Sequence, residues 1–209
     1  MKLLIKATAC LAALLALPVM AGGDPASGEE KSALCASCHG AAGNSTIALW
    51  PKLAGQHEPY LGRHLKLIKD GARPVPEMLG ITADLSDQDI SDLAAYYAAQ
   101  HSSPGAAEPE LVGVGERLYR AGNPDTGVPA CMACHGPAGK GNPLAGYPAL
   151  AAQHAAYVGR MLSRYRSGEM WGEDDELSRV MAEVAGELSD VEIRAVASYV
   201  QGLYSQLDE

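Results

Sequence analysis

The sequence predicts an all-α protein made of two small helical bundles in tandem. Three observations predict it. Apolar residues recur at helical spacing near the end of each half, as Ile90, Leu93, Ala94 and Tyr97 and as Ile193, Val196, Ala197 and Val200, with no alternating strand pattern elsewhere. The second half repeats the first at a period too long for a solenoid. Each terminal helix also has a local start signal in Leu85-Ser86-Asp87 and Leu188-Ser189-Asp190.

From the amino terminus, Lys2 and Lys6 precede an apolar run from Ala7 to Met20, and Val19-Met20-Ala21 suits a signal peptidase. This reads as a cleaved export signal over residues 1–21, with Cys10 discarded inside it. A retained anchor is the alternative, but the run is shorter than the roughly 20 apolar residues needed to cross a bilayer. The remainder divides into residues 22–103 and residues 104–209. Between them His101-Ser102-Ser103-Pro104-Gly105-Ala106-Ala107-Glu108-Pro109 has linker composition.

Within the first unit Ser27 and Glu30 form a capping-box pattern, predicting a helix that runs into Cys35. The second unit has a helix near Val112 to Ala121 and a Gly- and Pro-rich loop from Gly122 to Pro129. The repeat then aligns Pro51-Lys52-Leu53-Ala54-Gly55-Gln56-His57 with Pro148-Ala149-Leu150-Ala151-Ala152-Gln153-His154, and Tyr60-Leu61-Gly62-Arg63 with Tyr157-Val158-Gly159-Arg160. Ser189 with Glu192 is a capping box, and Ser86 has Asp87 and Asp89 in the first turn after it.

Without Lys2 and Lys6 the 16 basic residues fall to 14 against 25 acidic ones, a formal charge of about −11. That disfavours nucleic acid and anionic lipid and favours a partner with a basic face. Phe is absent, so two units of about 100 residues or fewer would have thin cores unless something else fills them.

The cysteines supply the filler. Beyond Cys10 they occur only as Cys35-Ala36-Ser37-Cys38-His39 and Cys131-Met132-Ala133-Cys134-His135. C-x-x-C-H is the attachment motif for c-type haem. Two thiols one helical turn apart add across the vinyl groups of one porphyrin, and the adjacent His meets the iron. A thioredoxin-like pair lacks its βαβ setting. A zinc site or two disulfides would leave the His after each second Cys without a reason. Two covalent haem c groups are expected, on Cys35 and Cys38 and on Cys131 and Cys134, with His39 and His135 as iron ligands.

The sixth ligand separates an electron carrier from a reactive iron. Met78 stands seven residues before Leu85, and Met181 seven before Leu188. A thioether is a soft ligand that raises haem potential, and the paired placement favours Met78 and Met181 over simple core packing. Met170 is the rival in the second unit, because six extra residues separate Gly168 from Met181 compared with Gly71 to Met78. Met132 is held inside the attachment loop, and Met161 is read as helix packing. His57 and His154 also match and could form a bis-His scheme, but as helix starts they are expected to be exposed polar residues.

Around these ligands, Pro51 and Pro148 lie 12 and 13 residues past the histidines, where a carbonyl could hold the second ring nitrogen; a rigid turn is the plainer role. Arg63 and Arg160 suit haem propionates or plain solvation. Tyr60 and Tyr157 suit a propionate or the junction between units. Glu173-Asp174-Asp175-Glu176 reads as a solvated loop, or as a patch that orients a basic redox partner.

Together these features resemble the dihaem cytochrome c4 family over essentially the whole mature chain. They are two C-x-x-C-H-G motifs, the P-x-L-A-x-Q-H-x-x-Y segments, a Met ahead of L-S-D in each half, and Ala-Cys-Met-Ala-Cys-His-Gly-Pro-Ala-Gly-Lys-Gly-Asn. The resemblance implies two tandem cytochrome c domains related by a pseudo-twofold axis, with His39 and Met78 on one iron and His135 and Met181 on the other. It also implies a periplasmic, often membrane-associated carrier of single electrons, from a cytochrome bc complex or other donor to a haem–copper terminal oxidase. An electron-accepting subunit of a flavoprotein dehydrogenase and a dihaem peroxidase-type enzyme are the alternative readings. A peroxidase needs an open iron, and the candidate methionines argue against one, so no catalytic residue is expected.

Overall fold

The computed structural model describes residues 22–172 and 174–204; the expected signal segment, residues 1–21, lies outside the described residues. Ten α-helices form among the described residues. The first unit holds α1 (Pro25–Lys31), α2 (Ala33–His39), α3 (Glu58–Lys69), α4 (Pro76–Thr82) and α5 (Asp87–Ala98). The second holds α6 (Pro109–Ala121), α7 (Met132–His135), α8 (Ala155–Arg166), α9 (Glu176–Ala185) and α10 (Asp190–Gly202), with a 3₁₀ turn at Pro143–Ala145. No strand forms among these residues beyond isolated bridges at Asn123–Val128 and Asn142–Tyr147.

Both terminal helices start where expected. The Ser86 and Ser189 hydroxyls accept from the N–H groups of Asp89 and Glu192, whose carboxylates accept from the serine N–H groups in return. The first helix differs from expectation. Asp24, not Ser27, caps it, and the Ser27 hydroxyl donates to the Asp24 carboxylate at 2.8 Å. Nor does that helix run unbroken to Cys35: Ser32 interrupts it, its hydroxyl donating to the Glu29 carbonyl at 2.8 Å. In the second unit α6 begins at Pro109, three residues earlier than expected.

All eight apolar residues of the two periodic stripes are buried. The amino-terminal helix of each unit crosses its carboxy-terminal helix at a glycine. A Cβ added at Gly28 would sit 2.1 Å from the Asp92 carbonyl oxygen on α5, and one at Gly115 would sit 2.3 Å from that of Ala195 on α10. The first core is the smaller, built on Leu61, Leu93, Ala94, Tyr96 and Tyr97. The second adds Leu118, Tyr119, Val158, Ile193, Val196 and Val200 among others.

The linker is tied down at both ends. Asn44 donates to the His101 carbonyl at 2.9 Å, and Gln201 donates to that of Ala106 at 2.8 Å. Contacts between the units are reciprocal. Gln56 bonds the backbone of Ala149, and Gln153 bonds that of Lys52.

Candidate functional site

Each Cys-x-x-Cys-His segment is helical up to its histidine, at the end of α2 or across α7. A loop then folds back. The Gly43 carbonyl accepts from the N–H groups of Leu53 and Ala54, and that of Gly139 accepts from Leu150 and Ala151. Both glycines have positive φ, 76° and 69°. A side chain at Gly43 would also meet the Ala54 nitrogen and the Tyr97 ring at 2.8 Å. This fold-back sets a proline carbonyl against each imidazole. His39 Nδ1 lies 2.8 Å from the Pro51 oxygen, and His135 Nδ1 lies 2.9 Å from that of Pro148. Because a carbonyl only accepts, Nδ1 carries the hydrogen and Nε2 keeps a lone pair. Burial lowers the pKa of both rings, and the proline carbonyls oppose this only in part, which suits neutral ligands.

Both histidines line one cavity of about 540 Å³ that runs through both units. Cys35, Cys38 and Met78 share its wall with Cys131, Cys134 and Met181. Met170 is outside that wall and 39% exposed. Burial raises the pKa of the Cys35 thiol and pushes that of Cys131 up to about 11. Neutral sulfur in an apolar wall fits a thioether better than a metal-bound thiolate.

Two buried donors point to the cofactor's other needs. His64 and Arg73 also line the cavity, and His64 Nδ1 and Arg73 Nε are buried without a protein partner. His64 Nε2 faces Arg63 at 3.1 Å, and arginine only donates, so Nδ1 carries the His64 hydrogen. Burial, with the Arg73 and Arg63 charges, pushes the His64 pKa well below its ordinary value. Two unpaired donors in an apolar cavity are costly, and carboxylates such as haem propionates would satisfy them. The residues present therefore fit two covalently tethered haems.

Several other singled-out side chains bond across the junction, as expected for Tyr157. Arg63 pairs with Asp175 of the second unit. Arg160 donates to the Leu49 carbonyl at 2.6 Å and lies over the Tyr157 ring. Tyr157 sits at the junction, where its hydroxyl accepts from Arg73 at 3.0 Å. His57 and His154 are half-buried rather than exposed. His154 donates to the Ser45 carbonyl across the interface at 2.8 Å, His57 Nε2 is buried without a partner, and neither ring lines the cavity. The acidic run is not simply a solvated loop, since the Asp175 side chain is only 9% exposed.

Sequence reasoning missed His64, Arg73 and Trp171. Trp171 is 1% exposed in the lengthened segment before Met181, under the guanidinium groups of Arg73 and Arg164. Nothing local marked Arg73 or Trp171, because Arg73 meets Tyr157 and Trp171 of the other unit and Trp171 lies in a segment that no repeat matches. His64 sits beside Arg63 and Tyr60 on α3 and belongs to no motif.

The cytochrome c family model matches this chain twice, over residues 26–99 and 114–204. Cytochrome c4 of Pseudomonas aeruginosa is 48% identical over 184 residues, covering 88% of this chain and 90% of that protein. A thiosulfate dehydrogenase electron acceptor of Stutzerimonas stutzeri is 39% identical over 169 residues, covering 79% and 76%. The crystal structure of reduced recombinant cytochrome c4 from Pseudomonas stutzeri superposes with a TM-score of 0.83 at 46% identity, covering 87% of this chain and all of that one.

Proposed function

Because this chain belongs to the cytochrome c family, and within it to the dihaem cytochrome c4 proteins, we propose that it carries single electrons between respiratory partners in the periplasm. It is an electron-transfer protein with two covalent haem c groups. Residues 22–103 and 104–209 are taken as its two domains, after a cleaved signal over residues 1–21. Electrons arrive from a cytochrome bc complex or another donor and leave to a haem–copper terminal oxidase, with the protein free or at the membrane surface. Among the described residues no helix is long and apolar enough to cross a membrane.

When bound, each haem would supply a one-electron redox couple. Cys35 with Cys38, and Cys131 with Cys134, tether the two groups. His39 and His135 supply a neutral imidazole to each iron, held in orientation by Pro51 and Pro148. Met78 and Met181 would each offer a thioether to an iron, a soft ligand that would serve both oxidation states. Leu61, Leu93, Val158 and Val196 keep water from the cavity, while His64 and Arg73 offer donors to the carboxylates. No step moves a proton or opens a coordination position, so the chain needs no catalytic side chain. Redox encounters of this kind use small, salt-sensitive interfaces, which a net-acidic surface facing a basic partner would suit.

The observation that carries this reading is the repetition: the same Cys, His and Met set in each half lines one cavity. It is tested by the weak far-red sulfur-to-iron band of the ferric protein, quantified per haem. Full intensity for two haems is expected; half intensity would reopen a peroxidase-type site, and none would remove both methionines. A second reading, as the dedicated electron acceptor of a dehydrogenase, is favoured by the Stutzerimonas relative that bears that name. Isolation with a stoichiometric dehydrogenase subunit would select it.

A further inference from the structure

The peptide groups that hold the two iron-facing histidines are themselves held from the opposite unit. Pro51 C=O and Lys52 N–H belong to one amide. Its oxygen accepts from His39 Nδ1 at 2.8 Å, and its N–H donates to Gln153 Oε1 at 2.9 Å. The mirror amide joins Pro148 C=O, bonded to His135 Nδ1 at 2.9 Å, with Ala149 N–H, which donates to Gln56 Oε1 at 3.0 Å. Each glutamine also donates through Nε2 to the next carbonyl, that of Lys52 or Ala149, at 2.9 Å. Each Oε1 further accepts from the following N–H of its own chain segment, that of His57 or His154, at 3.0 Å. Gln56 and Gln153 are 8% and 9% exposed. Their amides are thus fixed in one orientation and shielded from water.

An amide whose N–H is bonded is a stronger acceptor at its oxygen, because chains of hydrogen bonds polarise one another where water is excluded. A stronger acceptor on Nδ1–H makes the imidazole a better electron donor to iron and favours the ferric state. We infer that Gln153 and Gln56 are crossed positioning residues, each tuning through a shared amide the haem potential of the other unit. This rests on His39 and His135 ligating the irons, as proposed above. It makes the packing of the two units part of what sets each potential.

The test uses the full-length haem-loaded protein with Gln153→Met and Gln56→Met, which keep side-chain length and remove the acceptor. Redox titration is followed haem by haem through the shifted ligand resonances in the proton NMR spectrum. Gln153→Met is expected to favour the ferrous form of the haem on Cys35 and Cys38 by about three- to tenfold, with the other haem much less affected. Gln56→Met is expected to favour the ferrous form of the haem on Cys131 and Cys134 to a similar degree, with the first haem much less affected. Gln153→Glu keeps an acceptor on Lys52 N–H and is expected to bring the first haem back to, or past, its wild-type balance towards ferric. Equal shifts at both haems, a larger shift in the glutamine's own unit, or a Glu variant behaving like the Met variant would overturn the relay. Lack of histidine and methionine ligand resonances for both haems in the wild-type protein would instead overturn the ligand reading.

Discussion

Arg63 of α3 reaches out of the first unit to Asp175, whose carboxylate also caps α9 of the second unit by accepting from the Ser178 N–H. Burial would push the Asp175 carboxyl up, but Ser178 and Arg63 together hold it below the ordinary carboxylate value. One side chain therefore joins the amino end of the helix that carries Met181 to the other unit.

Removing that carboxylate should cost more than a surface ion pair does. Asp175→Ala loses a helix cap and takes the carboxylate from Arg63, at an expected total of roughly 2–4 kcal/mol. Arg63→Met should cost less, about 1–2 kcal/mol, because its side chain is 29% exposed. Urea unfolding of the two single variants and the double variant forms the cycle. A coupling energy near zero would show that the pair does not join the units.

The two glycine crossings should be intolerant of a single methyl group. At Gly28 and Gly115 the added Cβ would meet backbone carbonyl oxygens at 2.1 and 2.3 Å, so α1 must move off α5, and α6 off α10. Gly28→Ala and Gly115→Ala are each expected to destabilise by roughly 3 kcal/mol or more, at the upper end for overpacking. Gly71→Ala is no clean control, since Gly71 has φ of +76°. Gly113→Ala is one, because that glycine lies within α6 with nothing inside 4 Å of its added Cβ, and a helical Gly→Ala change should be neutral or stabilising. Urea midpoints decide, and a Gly28→Ala protein as stable as the wild type would refute the close crossing.

What the sequence revealed was what short range decides. Ser86 and Ser189 could be read as helix starts because each bonds a residue three positions away. The Cys and His motifs could be read because their chemistry lies within five residues. The amino-terminal start was misassigned because Asp24 and Ser27 both offer a capping oxygen, and the earlier one caps while the later donates to it. Of the junction between units only Tyr157 could be named, and its partner could not. Gln153 finds Lys52 across 101 residues and Arg63 finds Asp175 across 112, and no local pattern in either segment anticipates the other. Arg73 illustrates the same limit: its place is set by Tyr157 and Trp171 of the other unit.

The first unit should also have an acid-sensitive clasp. The Ser86 hydroxyl and N–H, with Lys31, hold Asp89 at about 2 against an ordinary 3.8. A carboxylate lowered on folding contributes stability that is complete above its unfolded pKa and disappears as pH falls through its folded one. The contribution should therefore fade between about pH 4 and pH 2. Asp89→Asn is expected to flatten the pH dependence of stability within that window and leave the slope above pH 5 unchanged. Chemical unfolding at a series of pH values reads it, and an unchanged acid slope would remove Asp89 from the clasp.

The lengthened segment before α9 sets the last test, because it decides which methionine serves the second iron. Six residues beyond the first unit's pattern could in principle bring Met170 to the cavity instead of Met181. The segment instead buries Trp171 against Tyr165, with its indole N–H donating to the tyrosine oxygen at 3.2 Å. The Trp171 N–H bonds the Ser178 hydroxyl at 3.1 Å, which ties the segment to the first turns of α9. That folding uses up the extra length beside the helix, leaving Met170 at the surface and Met181 in the cavity wall. Met181→Leu is expected to remove half of the ferric far-red intensity and let carbon monoxide bind one reduced haem rapidly. Met170→Leu should leave both properties as in the wild type. Met78→Leu should halve the band in its turn, and the double variant Met78→Leu/Met181→Leu should abolish it. Loss of half the band in Met170→Leu would mean that the second ligand comes from ahead of Trp171, and that α9 only covers the site.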